Sequence, residues 1–185
     1  NFAKDAAWGR SDRKITGVNF NGGSDGNQSI TISESQLKGY MEMFDTPFKA
    51  KAGDNITATI GYSSTWMHSY IYIDRGKDGQ YSAAVTSEDL LDTTTDLMAY
   101  SLYRSGSSGN AHNSAGTSIS ESDNGFNRLD APAFTIPSDL AKGIYRMRYK
   151  LDWNEIDPGG NVSGDNSILN NGGGIVDVLL NIHED

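Results

Sequence analysis

The chain has 185 residues, with 15 Lys plus Arg against 24 Asp plus Glu, a formal charge of -9 at pH 7 and no cysteine. That length suits one domain with a substantial core, expected over residues 1–185, and the acidic balance repels phosphate backbones and anionic membrane surfaces, which argues against nucleic acid as a partner. Without cysteine there is no disulfide, thiolate metal site or cysteine nucleophile.

The 21 glycines, many of them in Asn-Gly, Asp-Gly and Ser-Gly pairs, punctuate short apolar runs and point to an all-β chain. Residues 14–20 and 29–32 are expected as two short strands joined by the turn-rich Asn21-Gly22-Gly23-Ser24-Asp25-Gly26. After the turn Ala52-Gly53-Asp54-Asn55, residues 56–62 alternate Ile56, Ala58, Ile60 and Tyr62 against Thr57, Thr59 and Gly61, the pattern of a half-buried strand.

The next segment, Trp66-Met67-His68-Ser69-Tyr70-Ile71-Tyr72-Ile73-Asp74-Arg75-Gly76-Lys77-Asp78-Gly79, joins an alternating strand to a D-x-G-x-D-G loop. Side chains alternate across a strand, so Met67, Ser69, Ile71 and Ile73 share one face, and Trp66, His68, Tyr70, Tyr72 and Asp74 the other. The loop repeats the opening of an EF-hand calcium loop, with carboxylates at its first and fifth positions and glycine at the sixth. Gly76 stands at the third ligand position and Val85 at the twelfth, so calcium held by Asp74 and Asp78 would need further oxygens, from Glu88, Asp92 or another loop, to reach about six to eight ligands. The alternative is a turn in which Asp74 and Asp78 bond their own backbone.

Residues 86–91 are expected as one helical turn, 97–103 as a strand, and 132–137 as a short extended piece set by its prolines. Between them, about 104–130 is rich in Ser, Gly and Asn and is expected as a long flexible loop. Residues 143–153 carry the cleanest period, with Tyr145, Met147, Tyr149, Leu151 and Trp153 on a core face and Ile144, Arg146, Arg148, Lys150 and Asp152 on a wet one. Residues 174–183 set Val176, Val178, Leu180 and Ile182 opposite Ile175, Asp177, Leu179, Asn181 and His183. About eight strands with almost no helix predict a two-sheet antiparallel β-sandwich of jelly-roll or immunoglobulin-like kind.

Three segments carry a family resemblance: Tyr70-Ile71-Tyr72-Ile73-Asp74 running into Lys77-Asp78-Gly79-Gln80-Tyr81, then Gly143-Ile144-Tyr145-Arg146-Met147-Arg148-Tyr149, and Asn171-Gly172-Gly173-Gly174-Ile175-Val176-Asp177-Val178. The chain resembles the GEVED-type β-sandwich modules appended to secreted Bacteroidetes and related bacterial proteins. It departs from them at Gly76, where Asn or Asp is common, and in lacking a clear match to the acidic signature that names the family. The resemblance implies a non-catalytic extracytoplasmic accessory module beside the other domains of a larger protein.

The start Asn1-Phe2-Ala3-Lys4-Asp5 carries no apolar signal-peptide core, and no run reaches the roughly 18 apolar residues of a spanning helix, so no membrane insertion is expected. Export is expected to rest on a signal upstream of a mature protein or excised domain, with a periplasmic, surface or extracellular location. His68, His112 and His183 show no zinc spacing, and there is no nucleophile elbow or phosphate-binding glycine pattern. Gly172-Gly173-Gly174 precedes a strand rather than the helix N-terminus that a phosphate cradle requires.

Sugars stack their C–H faces on aromatic rings and pair their hydroxyls with short polar groups, and Trp66, His68, Tyr70 and Tyr72 offer that mixture on one strand face. That face could instead be the inner one, with Met67, Ser69, Ile71 and Ile73 outside. The expected function is a carbohydrate-binding or surface-adhesion module, calcium-stabilised if Asp74 and Asp78 hold the ion. The rivals are a spacer domain without ligand and a small glycoside hydrolase built on two of Asp74, Asp152, Glu155 and Asp157, which would have to stand about 5 to 10 Å apart. Trp153 and the turn Asp157-Pro158-Gly159-Gly160 have a purely structural reading as core residue and strand end.

Overall fold

The computed structural model describes residues 11–64, 67–87, 90–102, 112–118, 130–153, 158 and 172–184. Its strands are β1 (Gly17–Gly22), β2 (Gly26–Thr31), β3 (Tyr40–Ala50), β4 (Asn55–Gly61), β5 (Met67–Ile73), β6 (Val85–Ser87), β7 (Leu90–Leu91), β8 (Leu97–Ser101), β9 (Phe134–Thr135), β10 (Gly143–Trp153) and β11 (Gly174–Ile182). Two sheets, ordered β2-β1-β4-β9 and β3-β11-β10-β5-β8, pack as a β-sandwich, and β6 and β7 form a small separate pair. The pairing is antiparallel throughout the two sheets except for β3 beside β11, which is parallel.

Alternation puts one phase of each strand between the sheets. Val18, Phe20, Ile56, Ala58 and Ile60 of the smaller sheet meet Met67, Ile71, Ile73, Tyr145, Met147, Tyr149, Leu151, Val176, Val178, Leu180 and Ile182 of the larger, all buried in one cluster. The Phe20 and Phe48 rings stack at 5.4 Å across the interface. The one polar atom that Tyr149 brings into this layer is satisfied, since its hydroxyl donates to the Asn19 carbonyl at 3.0 Å.

Several expectations on the elements change. The helical turn expected over 86–91 is instead the β6–β7 pair, with Val85 opposite Leu91. The long loop expected at about 104–130 contains an ordered piece: Ser101 bridges Asn113, and the Ser114 hydroxyl both accepts from the Tyr100 N–H and donates to the Tyr100 carbonyl. The remainder of that stretch, 104–111 and 119–129, lies outside the described residues. β3, eleven residues long, has no counterpart in the sequence reading.

The largest change concerns the outer face of the five-stranded sheet, expected wet along β10. Arg148, Lys150 and Asp152 are buried there, as are Asp177 and His68. A second hydrophobic cluster of Tyr70, Tyr72, Tyr81, Leu91, Leu97, Tyr100 and Leu102 lies on that side. All seven residues of β5 are buried as a result. Neither face of β5 is a solvent face, because the segment after the D-x-G-x-D-G loop returns over it, setting the Tyr81 ring edge-on to Tyr72 at 5.9 Å.

Candidate functional site

His68, Tyr70 and Tyr72 were expected to offer a stacking surface, and the structure buries them completely. The Tyr70 and Tyr72 rings stack on each other at 6.2 Å, and the Tyr72 hydroxyl donates to the Pro158 carbonyl at 2.7 Å. A sugar cannot lie on these rings while Tyr81 covers them, so the exposed platform is corrected to a second core layer. Trp66 lies outside the described residues.

Asp74 and Asp78 take the geometry of the turn. The Asp74 carboxylate is buried and accepts the Asp78 N–H at 3.1 Å and the Gly79 N–H at 2.9 Å, while Asp78 accepts the Gln80 N–H at 2.8 Å. These bonds satisfy loop amides that would otherwise have no partner, which is how an Asp specifies a tight turn. Asp92 caps its own turn through Thr94, whose hydroxyl and N–H bonds hold the carboxyl below its ordinary range. No three His, Asp or Glu side chains gather as a metal-binding group among the described residues. Of the carboxylates weighed for hydrolysis, Asp152 is buried 3.9 Å from the Lys150 ammonium, and Glu155 and Asp157 lie outside the described residues.

The buried polar residues of the outer face are organised around ion pairs. Arg148 Nε and Nη2 donate to the two Asp177 oxygens at 2.7 and 2.8 Å, and Tyr40 adds a third bond to Asp177 at 2.9 Å. Burial alone would lower the Arg148 pKa, but the bonds and charge of Asp177 outweigh it and the guanidinium stays charged. Register explains the meeting, since Arg148 and Asp177 are directly opposed on β10 and β11.

Among the described residues, this face opens at its far end. There the D-x-G-x-D-G loop meets the start of β10 and leaves a cleft of about 290 Å³ whose walls include Asp74, Lys77, Ile144, Tyr145, Arg146 and Leu179. Ile144 is 46% exposed, unusual for a large apolar side chain on a strand. Arg146 is half-exposed, pairs with Glu42 at 3.1 Å and lies 5.0 Å over the Phe44 ring. The Lys77 ammonium sits 4.1 Å over the Tyr145 ring. Lys77 reaches that place from a left-handed backbone, φ 53°, and Gly143 leaves room for it: a Cβ at Gly143 would stand 3.3 Å from Nζ.

The loop bearing Lys77 is fixed from behind. The Arg75 guanidinium donates to the Thr94 carbonyl at 2.8 Å and to both Asp139 oxygens at 3.1 Å. Asp96 accepts the N–H groups of Arg75 and Ser82, at 3.0 and 2.8 Å, closing the loop at both ends. A second groove, of about 410 Å³, runs beside the start of β3 along Gln36, Lys38, Met41 and Met43.

Sequence reasoning named the loop but missed Lys77, Ile144, Arg146 and Leu179 as a group. Part of the signal was present, because Ile144 is the one apolar residue on an otherwise polar phase of its strand, whereas Leu179 shares its phase with another apolar residue, Ile175. No known protein-family model matches this chain, and no curated protein is significantly similar to it. The GEVED resemblance therefore rests on the three segments that carry it.

Proposed function

We propose that this chain, a non-catalytic module of an exported protein as the resemblance implies, binds a saccharide in the cleft between the Asp74–Gly79 loop and the start of β10. The observation that carries this reading is the pairing of the exposed Ile144 and the partly buried Leu179 with the charged donors Lys77 and Arg146 in one open cleft. Saccharides need that combination: an apolar surface for C–H groups and fixed polar groups for hydroxyls. The anchored loop favours binding further, because groups already held in place lose little freedom on association. Affinity should nevertheless be modest, since an open cleft buries little area and sugar hydroxyls exchange bonds with water at small net gain.

The test is calorimetry against a broad saccharide panel with wild type, Ile144→Asp and Tyr72→Ala. Ile144→Asp should abolish binding with an unchanged melting temperature, because the residue is half in solvent. Tyr72→Ala should instead destabilise the fold, by about 3 to 5 kcal/mol for a buried aromatic. Saturable binding untouched by Ile144→Asp would move the site elsewhere. No saturable binding by wild type would favour the spacer reading, to which the closed aromatic face of β5 already lends support.

A further inference from the structure

Within that saccharide reading, on which this inference rests, we propose that the ligand is an acidic glycan whose uronic-acid carboxylate is bound by Lys77, with Arg146 beside it. The charges lining the cleft are unequally committed. Asp74 is the only carboxylate among its lining residues, and its two oxygens are taken by the Asp78 and Gly79 N–H groups. Arg146 shares its charge with Glu42 through one Nη, which leaves other guanidinium N–H groups to donate. Lys77 has no carboxylate partner among the described residues, and its ammonium rests only on the face of Tyr145. A cation over a ring keeps its charge, gains a fixed position and retains donors directed away from the ring.

Backbone conformation supports a dedicated position. A non-glycine residue in the left-handed region is uncommon, and Lys77 is the one such residue among those described. The surrounding bonds of Arg75, Asp74 and Asp96 hold it there. The chain's overall charge of -9 does not oppose this, because charges beyond about 8 Å are largely screened at physiological salt. Nearby Glu42 is paired with Arg146, and exposed Asp78 accepts from Gln80. Ile144 and Leu179 then meet the sugar's C–H face while the carboxylate turns to Lys77.

The experiment compares galacturonate, glucuronate, mannuronate and guluronate oligomers, each as free acid and as methyl ester, together with neutral oligomers, by calorimetry. An ester keeps the sugar's shape and removes the charge. At least one free acid should bind about tenfold or more tightly than its ester, the expected size of one charge-assisted hydrogen bond. Lys77→Gln should erase that difference by bringing free-acid binding down to the level of the ester, Lys77→Arg should keep the preference for the acid, and added salt should weaken the acid more than the ester. Equal binding of acid and ester, or of neutral oligomers alone, overturns this inference and leaves the saccharide reading standing. Retention of the acid preference in Lys77→Gln overturns the assignment of Lys77. Absence of binding to every oligomer overturns both.

Discussion

Arg148 and Asp177 show how single residues hold the second layer. The guanidinium gives two parallel bonds to the carboxylate, and both groups lie out of water with Tyr40 bonded to one side and the Tyr81 ring 4.1 Å from the guanidinium. Removing one partner takes from the other its two opposing-charge bonds inside the fold, whereas removing both leaves chiefly a packing problem. Asp177→Leu should therefore cost about 3 to 5 kcal/mol, and Arg148→Met with Asp177→Leu should recover much of that loss. Urea melts of the two single variants and the double variant measure it. A double variant as unstable as the sum of the singles would show that the pair is not coupled.

At the scale of elements, β3 is the edge of its sheet, and an edge exposes backbone groups that invite pairing with another chain. Part of this edge is closed by a side chain from the other sheet. Gln28 on β2 donates Nε2–H to the Lys49 carbonyl and accepts the Lys49 N–H on Oε1, both at 2.8 Å, copying with one amide the pairing a neighbouring strand would make. At the same end, His183 meets Asp25 at 2.7 Å and gives the sheets a second link. Gln28→Ala should cost about 1 to 3 kcal/mol, the range for losing two hydrogen bonds at a partly exposed site. Native-state hydrogen exchange should show faster exchange at the Lys49 amide, with Gln28→Glu intermediate because it accepts but cannot donate. An unaltered Lys49 rate in Gln28→Ala would mean that the clamp contributes nothing to the edge.

For the whole molecule, two stacked layers rather than one interior predict a specific response to alkali. Tyr40, Tyr81 and Tyr149 all have pKa values raised above the ordinary 10.0, first through burial, and for Tyr40 and Tyr81 also through the charge of Asp177. A raised phenol favours the fold while both states are protonated. Above about pH 10 the unfolded chain releases these protons and the folded chain does not, so stability should fall as pH rises past that point. Tyrosinate absorbance should lag behind a free-tyrosine titration and then appear cooperatively with loss of near-ultraviolet dichroism. The contribution of the second layer is isolated by Tyr81→Phe, which removes a buried hydroxyl with no hydrogen-bond partner among the described residues and should shift the onset of alkaline unfolding upward.

Strand period alone determined much of the frame. β10 runs over the expected residues, β11 differs by one residue at its end, and Tyr145, Met147, Tyr149, Leu151, Val176, Val178, Leu180 and Ile182 are buried as their phase requires. The hairpin of β1 and β2 also follows from its glycine-rich turn. β3 was not legible because Pro47 interrupts it and apolar residues occupy both phases, Met41 and Met43 on one and Tyr40 and Phe44 on the other. The outer face was not legible for a different reason. Alternation says which side chains share a face, but whether that face meets water depends on what distant segments lay over it. Tyr81 and Leu91 cover β5, and Asp177 neutralises Arg148 from 29 residues away. Only that tertiary closure turned the expected aromatic platform into a second core and left the cleft beside Lys77 and Ile144 as the open end of the same face, because burial is a property of the assembled surface and not of any one strand.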